Sequence, residues 1–131
     1  MSQTGAAAGV LAGLTSHPQP DVAEPALALL GTIYLRQRRV RQALGLLKQA
    51  VEGEAREWEG KAEALADLGL TYLALGDEPQ GLRWLRAAQA RFRARGDQEL
   101  LRRSLTNELR YHRHVDNDEE VARLQAELAR L

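Results

Sequence analysis

The chain contains no cysteine, which excludes disulfides, a thiolate nucleophile and any cysteine-ligated metal, and leaves the redox compartment open. Aromatic residues are scarce, with a single phenylalanine, and leucine and alanine carry most of the apolar content, a composition that favours helices. Neither charge is in surplus, since 18 lysines and arginines balance 18 aspartates and glutamates, so nothing global attracts a polyanion. No apolar run approaches the ~18 residues that span a bilayer. Nor does a basic segment precede the weakly apolar residues 5–14, as a secretory signal requires. A cytoplasmic location is the expectation. A length of 131 residues suits one domain with a modest core.

What is present is a repeat. Leu65, Leu68, Gly69 and Tyr72 follow helical spacing, Gly76-Asp77 breaks the pattern, and Gly81, Leu82, Leu85 and Ala88 begin a second helix that stops at Gly96-Asp97. The same skeleton stands 38 residues earlier as Leu27, Leu30, Gly31 and Tyr34, then Ala43, Leu44, Leu47 and Ala50. Self-similarity of this kind marks a helical-repeat protein, whose units stack to bury a core that no single unit can bury. Small residues at Gly31/Ala43 and Gly69/Gly81 are expected to let paired helices approach closely, with Tyr34 and Tyr72 filling the wedge between them.

A large residue, Leu-Gly and Tyr on one helix, then a small residue, a bulky residue and Ala on the next, resemble the tetratricopeptide repeat family over residues 24–95. Leu27 and Leu65 stand where that family often has Trp, and Ala55 and Arg93 replace its closing Pro. The 38-residue period, against a usual value of about 34, adds one helical turn of about 3.6 residues. That is similar to a longer-helix variant found in bacterial signalling and regulatory proteins. The resemblance implies an all-α fold, an α-solenoid of antiparallel helix pairs over residues 21–131, with units at about 24–57, 58–96 and 97–131. It also implies a concave groove lined by the first helix of each pair. The groove residues would be Pro25, Ala28, Thr32, Leu35 and Arg36, then Glu63, Ala66, Leu70, Leu73 and Ala74. Such a floor is mostly apolar and suits an extended peptide or amphipathic helix of a protein partner. Leu29 and Asp67 stand where members that clamp acidic tails carry Asn, which argues against that activity. Leu70 and Leu73 are the expected binding residues, because both lie off the Leu65, Leu68, Gly69, Tyr72 face.

The remaining segments are read one by one. Residues 1–20 form a flexible tail or a short docking helix, weakened by glycines at about 1 kcal/mol each. Asp21 is expected to cap a helix over residues 22–38, with Glu24 completing a capping box and Pro25 in the first turn. Arg36, Arg38, Arg39 and Arg41 make a solvated corner before a second helix that reaches Glu54. Trp58 plugs the junction between units, Asp77 caps a helix with Gln80 in a capping box, and Trp84 is half exposed. The third unit is degenerate. Asp97 caps a helix carrying Leu101, Leu105 and Leu109, and Tyr111 stands in for the repeat Tyr, leaving Asn107-Glu108 at the Leu-Gly place. Val121, Leu124, Leu128 and Leu131 give the last helix the single apolar stripe of a capping element.

Candidate chemistry is thin. His112 and His114, with Asp116 and Asp118, invite a metal site, but histidines two apart point to different sides of a helix. Residues 116–120 resemble a calcium loop without its sixth-position Gly, and are better explained as helix capping. Neither a catalytic triad nor a phosphate loop is present. The expectation is a protein interaction module, an adaptor, scaffold or regulator, and not an enzyme, with no metal and no cofactor. Two other classes stay open: a self-associating protein, as a homodimer burying residues 5–14 or the groove, and a nucleic-acid binder acting through Arg91, Arg93, Arg95, Arg102 and Arg103.

Overall fold

A computed structural model describes residues 3–53 and 57–131 and is all-α, with no strand among them. The helices are α1 (Gln3–Leu14), α2 (Pro20–Arg36), α3 (Val40–Val51), α4 (Lys61–Ala74), α5 (Glu78–Arg95), α6 (Gln98–His114) and α7 (Asp118–Ala129). Each helix packs on the next one in sequence, and α2 also meets α4, which in turn meets α6. None is long and apolar enough to cross a membrane. The core runs through the set, with Leu47, Leu68, Leu85, Phe92, Leu105 and Leu124 almost wholly enclosed. Each such side chain stabilises the fold by about 1.5–3 kcal/mol relative to exposure.

One turn recurs four times. Arg38, Gly76, Gly96 and Asp116 each have a positive φ, and the residue after each donates its N–H to the carbonyl five positions back. Those bonds run from Arg39 to Tyr34, Asp77 to Tyr72, Asp97 to Phe92 and Asn117 to His112, all at 2.9 Å. This is the left-handed cap that satisfies the last carbonyls of a helix. Three of the donors then serve as N-caps, accepting from the N–H of Gln80, Leu100 and Glu120. Arg39 has no carboxylate or amide to do so, and stacks its guanidinium over Tyr34 instead. Because the Asp77 N–H is already committed to Tyr72, the reciprocal half of the expected capping box with Gln80 is not made.

The close approaches fall where small residues anticipate them. A methyl group at Gly69 would lie 2.7 Å from the Gly81 carbonyl oxygen and the Leu85 nitrogen, so α4 and α5 touch backbone to backbone. At Gly31 the neighbour is the Leu47 side chain.

Several expectations need correction. Helix α2 begins at Pro20, with Gln19 as an N-cap that makes no side-chain bond, so Asp21 lies in the first turn and is not the cap. Proline's fixed φ favours the first helical position, and that preference outweighs the Asp. Glu24 is buried against Gly53, not turned back in a capping box. Pro25 is consequently inside the helix. Helix α3 ends at Val51, and the expected end at Glu54, like the Ala55 position, lies outside the described residues. Residues 3–14 form α1, which docks on α2.

The third unit is also displaced by one residue from its expected alignment. Its helix-ending turn equates His112, not Tyr111, with Tyr34 and Tyr72. Glu108-Leu109 therefore stand at the place of Leu68-Gly69.

Candidate functional site

The side chains of α2, α4 and α6 that share one side of the molecule enclose two adjoining hollows. The larger, about 290 Å³, lies between α2 and α4, with Ala28, Leu29, Thr32 and Arg36 on one wall and Glu63 and Asp67 on the other. Trp58, Glu59 and Gly60 close one end, and Arg103 reaches in from α6. The smaller, about 60 Å³, lies between α4 and α6 and shares Glu63, Asp67 and Arg103 with the first. Its walls are Ala66, Leu70, Phe92 and Leu100, and its polar lining adds Ser104 and Asn107.

Six of the eight expected site residues meet here: Ala28, Thr32, Arg36 and Glu63 in the larger hollow, and Ala66 and Leu70 with Glu63 in the smaller. Leu35 and Leu73 line neither. Leu35 is half-buried against the core. Leu73 is buried, with its side chain filling the space that Gly81 leaves open, so it belongs to the α4–α5 contact and not to the groove. Ala74 is exposed and apart.

The floor is more polar than expected. Thr32 Oγ1 donates to Asp67 Oδ2 at 2.7 Å, which ties α2 to α4 across the bottom of the larger hollow. Burial raises the Asp67 pKa above its ordinary value; the Thr32 hydrogen bond and the Arg36 guanidinium oppose that shift, Glu63 reinforces it and Arg103 opposes it. Glu63 is itself neutralised by Arg95 at 3.0 Å. A half-buried carboxylate that feels two guanidiniums, in a hollow, is the kind of perturbed group that clusters at functional sites.

Trp58 is half-buried against the core, as a junction plug should be, and its Nε1 is enclosed with no hydrogen-bond partner among the described residues. Trp84 is half-buried as expected, with Arg83 stacked on its ring.

A second polar constellation lies inside the last three helices. Glu108 and His112 of α6 are fully buried. Glu108 Oε1 accepts from Gln89 Nε2 at 3.0 Å, while its Oε2 accepts from Arg86 and Arg123, each at 3.2 Å. His112 Nε2 lies 3.1 Å from that oxygen and 3.9 Å from Glu120. Arg123 holds the Glu120 carboxyl below its ordinary pKa. Glu108, His112 and Glu120 approach closely enough to ligate an ion. Two guanidiniums already sit on Glu108, however, and a dication there would meet their repulsion, so the geometry is that of an enclosed ion-pair network. His114, Asp116 and Asp118, the other members of the expected metal constellation, are exposed.

Lining residues absent from the expected site include Leu29, Asp67, Trp58, Glu59, Arg103, Ser104 and Asn107. The last three come from the degenerate unit. Aligned by its turn, 40 residues after its counterpart, Arg103 equates with Glu63 and Ser104 with Ala64.

No protein-family model, curated protein or solved structure matches this chain.

Proposed function

We propose that this chain is a protein-binding module of the tetratricopeptide-repeat kind, a stack of antiparallel helix pairs whose first helices form a groove for a peptide or helix of a partner. The observation that carries this reading is the pair of adjoining hollows, assembled from three helices that are not consecutive in sequence and floored by Thr32 and Asp67. Ligand sites favour such concave places, with mixed apolar walls and a few convergent polar groups. An adaptor, scaffold or regulator is the role this implies, and the recurring left-handed turns support the repeat reading. The nucleic-acid alternative weakens because Arg91, Arg93 and Arg95 are each paired with a carboxylate, from Glu57, Glu127 and Glu63.

The test is selection of peptides from a random library on the immobilised protein, followed by mapping of a selected peptide through backbone amide shifts. Shifts concentrated at Ala28, Thr32, Asp67 and Leu70 are expected, and Leu29→Glu with Leu70→Glu should abolish binding while helical circular dichroism is retained. Peptides that map to another face, or that bind the double variant equally, would sink the reading.

A homodimer is a second reading with its own observation. Helix α1 carries no charged residue, yet leaves Val10 67% and Leu14 38% exposed. Light scattering on the wild type and on Val10→Glu with Leu14→Glu decides it: a dimer that the double change splits supports it, and a monomeric wild type ends it.

A further inference from the structure

Three polar groups with unused hydrogen-bonding capacity meet in the small cleft between α4 and α6. Ser104 is 3% exposed, and its Oγ has no hydrogen-bond partner. Asp67 commits Oδ2 to Thr32, and no described donor reaches its Oδ1. Asn107, half-buried, makes no side-chain hydrogen bond to a described residue. Buried polar groups in folded proteins are overwhelmingly paired, so an enclosed hydroxyl without a partner beside two further open groups needs an explanation. The hydroxyl both donates and accepts, the carboxylate accepts, and the amide does both.

The charges nearby are already balanced. Glu63 is paired with Arg95, Arg103 stands beside Glu99 at 3.9 Å, and Asp67 feels Arg36. A charged ligand group entering the cleft would lose its hydration without gaining an unopposed counter-charge. A neutral group that presents a donor and an acceptor together loses least and satisfies most. The available space, about 60 Å³, suits a head group with a short stem, and Ala66, Leu70 and Leu100 offer apolar contact for methylenes.

We propose that the cleft between α4 and α6 is a carboxamide pocket, receiving an asparagine or glutamine side chain of the peptide that lies in the adjoining groove. This deepens the peptide-binding reading and rests on it. The amide N–H₂ donates to Asp67, and the amide oxygen accepts from Ser104 or Asn107. Side-chain recognition in this pocket gives sequence specificity to a groove whose larger hollow accepts main chain and apolar groups.

The test uses three probes of matched size on the full chain: propionamide, propionate and propylammonium, followed by backbone amide shifts. Propionamide should give saturable shifts at Asp67, Ser104 and Asn107, with a Kd on the order of 1 mM, as befits so small a ligand. Both charged probes should bind at least about tenfold more weakly, a difference of about 1.4 kcal/mol. Ser104→Ala should weaken propionamide while leaving the melting curve unchanged; if that variant melts early, Asn107→Ala carries the same expectation. A preference for either charged probe, no saturable response to propionamide, or unchanged affinity in a folded variant overturns the proposal. The two readings fail separately: a groove that captures selected peptides but ignores propionamide loses only the carboxamide pocket. Shifts from propionamide without any peptide selected would instead sink the peptide-binding reading.

Discussion

Helix pairs α4/α5 and α6/α7 are each joined by the same left-handed turn, yet they close on opposite chemistry. In the first, Leu68 and Leu85 are fully buried and Gly69 meets Gly81 backbone to backbone. In the second, the positions of Leu68, Gly69 and Tyr72 are held by Glu108, Leu109 and His112, and Val121 stands in the place of Gly81. With Leu109 and Val121 in place of the two glycines, the interior is completed by carboxylate, imidazole and guanidinium groups. Similar backbone frames therefore tolerate either solution, the polar one with both Glu108 oxygens partnered and with His112 Nδ1 enclosed and without a hydrogen-bond partner among the described residues. Apolar closure contributes stability directly; ionic closure recovers a desolvation cost and makes the contact depend on every member of the network.

The sharpest way to break the comparison is Glu108→Ala. The change strips acceptors from Gln89 and His112, both buried, and from Arg86 and Arg123. Removing one member of a buried charged network costs about 3–5 kcal/mol, to be measured by urea denaturation. Replacing its three buried members, as Gln89→Leu, Glu108→Leu and His112→Phe, should recover that loss, since apolar substitutes for buried ion pairs are neutral or better by about 1–4 kcal/mol. A triple variant as unstable as the single one would mean that the ionic closure has no apolar equivalent here.

Next in size is Gly69→Ala, which attacks the apolar pair. Its new methyl group would meet backbone atoms at 2.7 Å, which no side-chain rotation can relieve. Overpacking of this sort costs about 1–3 kcal/mol. An unchanged melting temperature would contradict the backbone contact itself.

The turns allow a gain instead of a loss. Arg38 adopts φ 63°, where the equivalent residue of the next unit is Gly76. A left-handed conformation costs a residue with a Cβ about 1–2 kcal/mol, partly offset by the greater freedom of an unfolded glycine. Arg38→Gly should therefore raise stability by about 0.5–1 kcal/mol, read from the thermal midpoint, whereas Gly76→Ala should lower it.

The apolar pair was legible because its signal is periodic: Leu65, Leu68, Gly69 and Tyr72 mark one face, and the Gly-Asp breaks mark its ends. The ionic pair was not, because Tyr111 drew the alignment one residue away from the position that the turn assigns to His112. A signal was nevertheless there. Glu108 and His112 are four apart and share a helical face with Leu101, Leu105 and Leu109, so polar residues on an apolar face should have been placed inside. Half of the groove was readable for a similar reason, with Ala28, Thr32, Glu63 and Leu70 at helical spacing on α2 and α4. Leu73 was misplaced because a glycine on the opposing helix is itself a vacancy that some side chain fills. Arg103 and Ser104 could be found only once the third unit was aligned by its turn.

The smallest expected effect concerns Tyr111, the residue that the turn displaces from the core. Its hydroxyl donates to Glu78 Oε2 at 2.5 Å, joining α6 to the first turn of α5. Burial, then the hydrogen bond to Glu78 and that carboxylate's charge, push its pKa from 10.0 up to about 12. The folded protein thus holds the phenolic proton more tightly than the unfolded chain does. Its contribution to stability is complete below pH 10, where both states are protonated, and is lost as pH rises from 10 towards about 12. Because Tyr111 is only half-buried, solvent screening keeps that contribution below ~1 kcal/mol. Wild type should lose slightly more stability than Tyr111→Phe across that alkaline window, and the two should run parallel between pH 7 and 9. If the difference opens instead below neutrality, a carboxylate and not the phenol is titrating at this contact. If no difference opens at any pH, the Tyr111 hydroxyl adds nothing measurable to the α5–α6 contact, which then rests on the buried Phe92, Leu101 and Leu105 and on the network around Glu108.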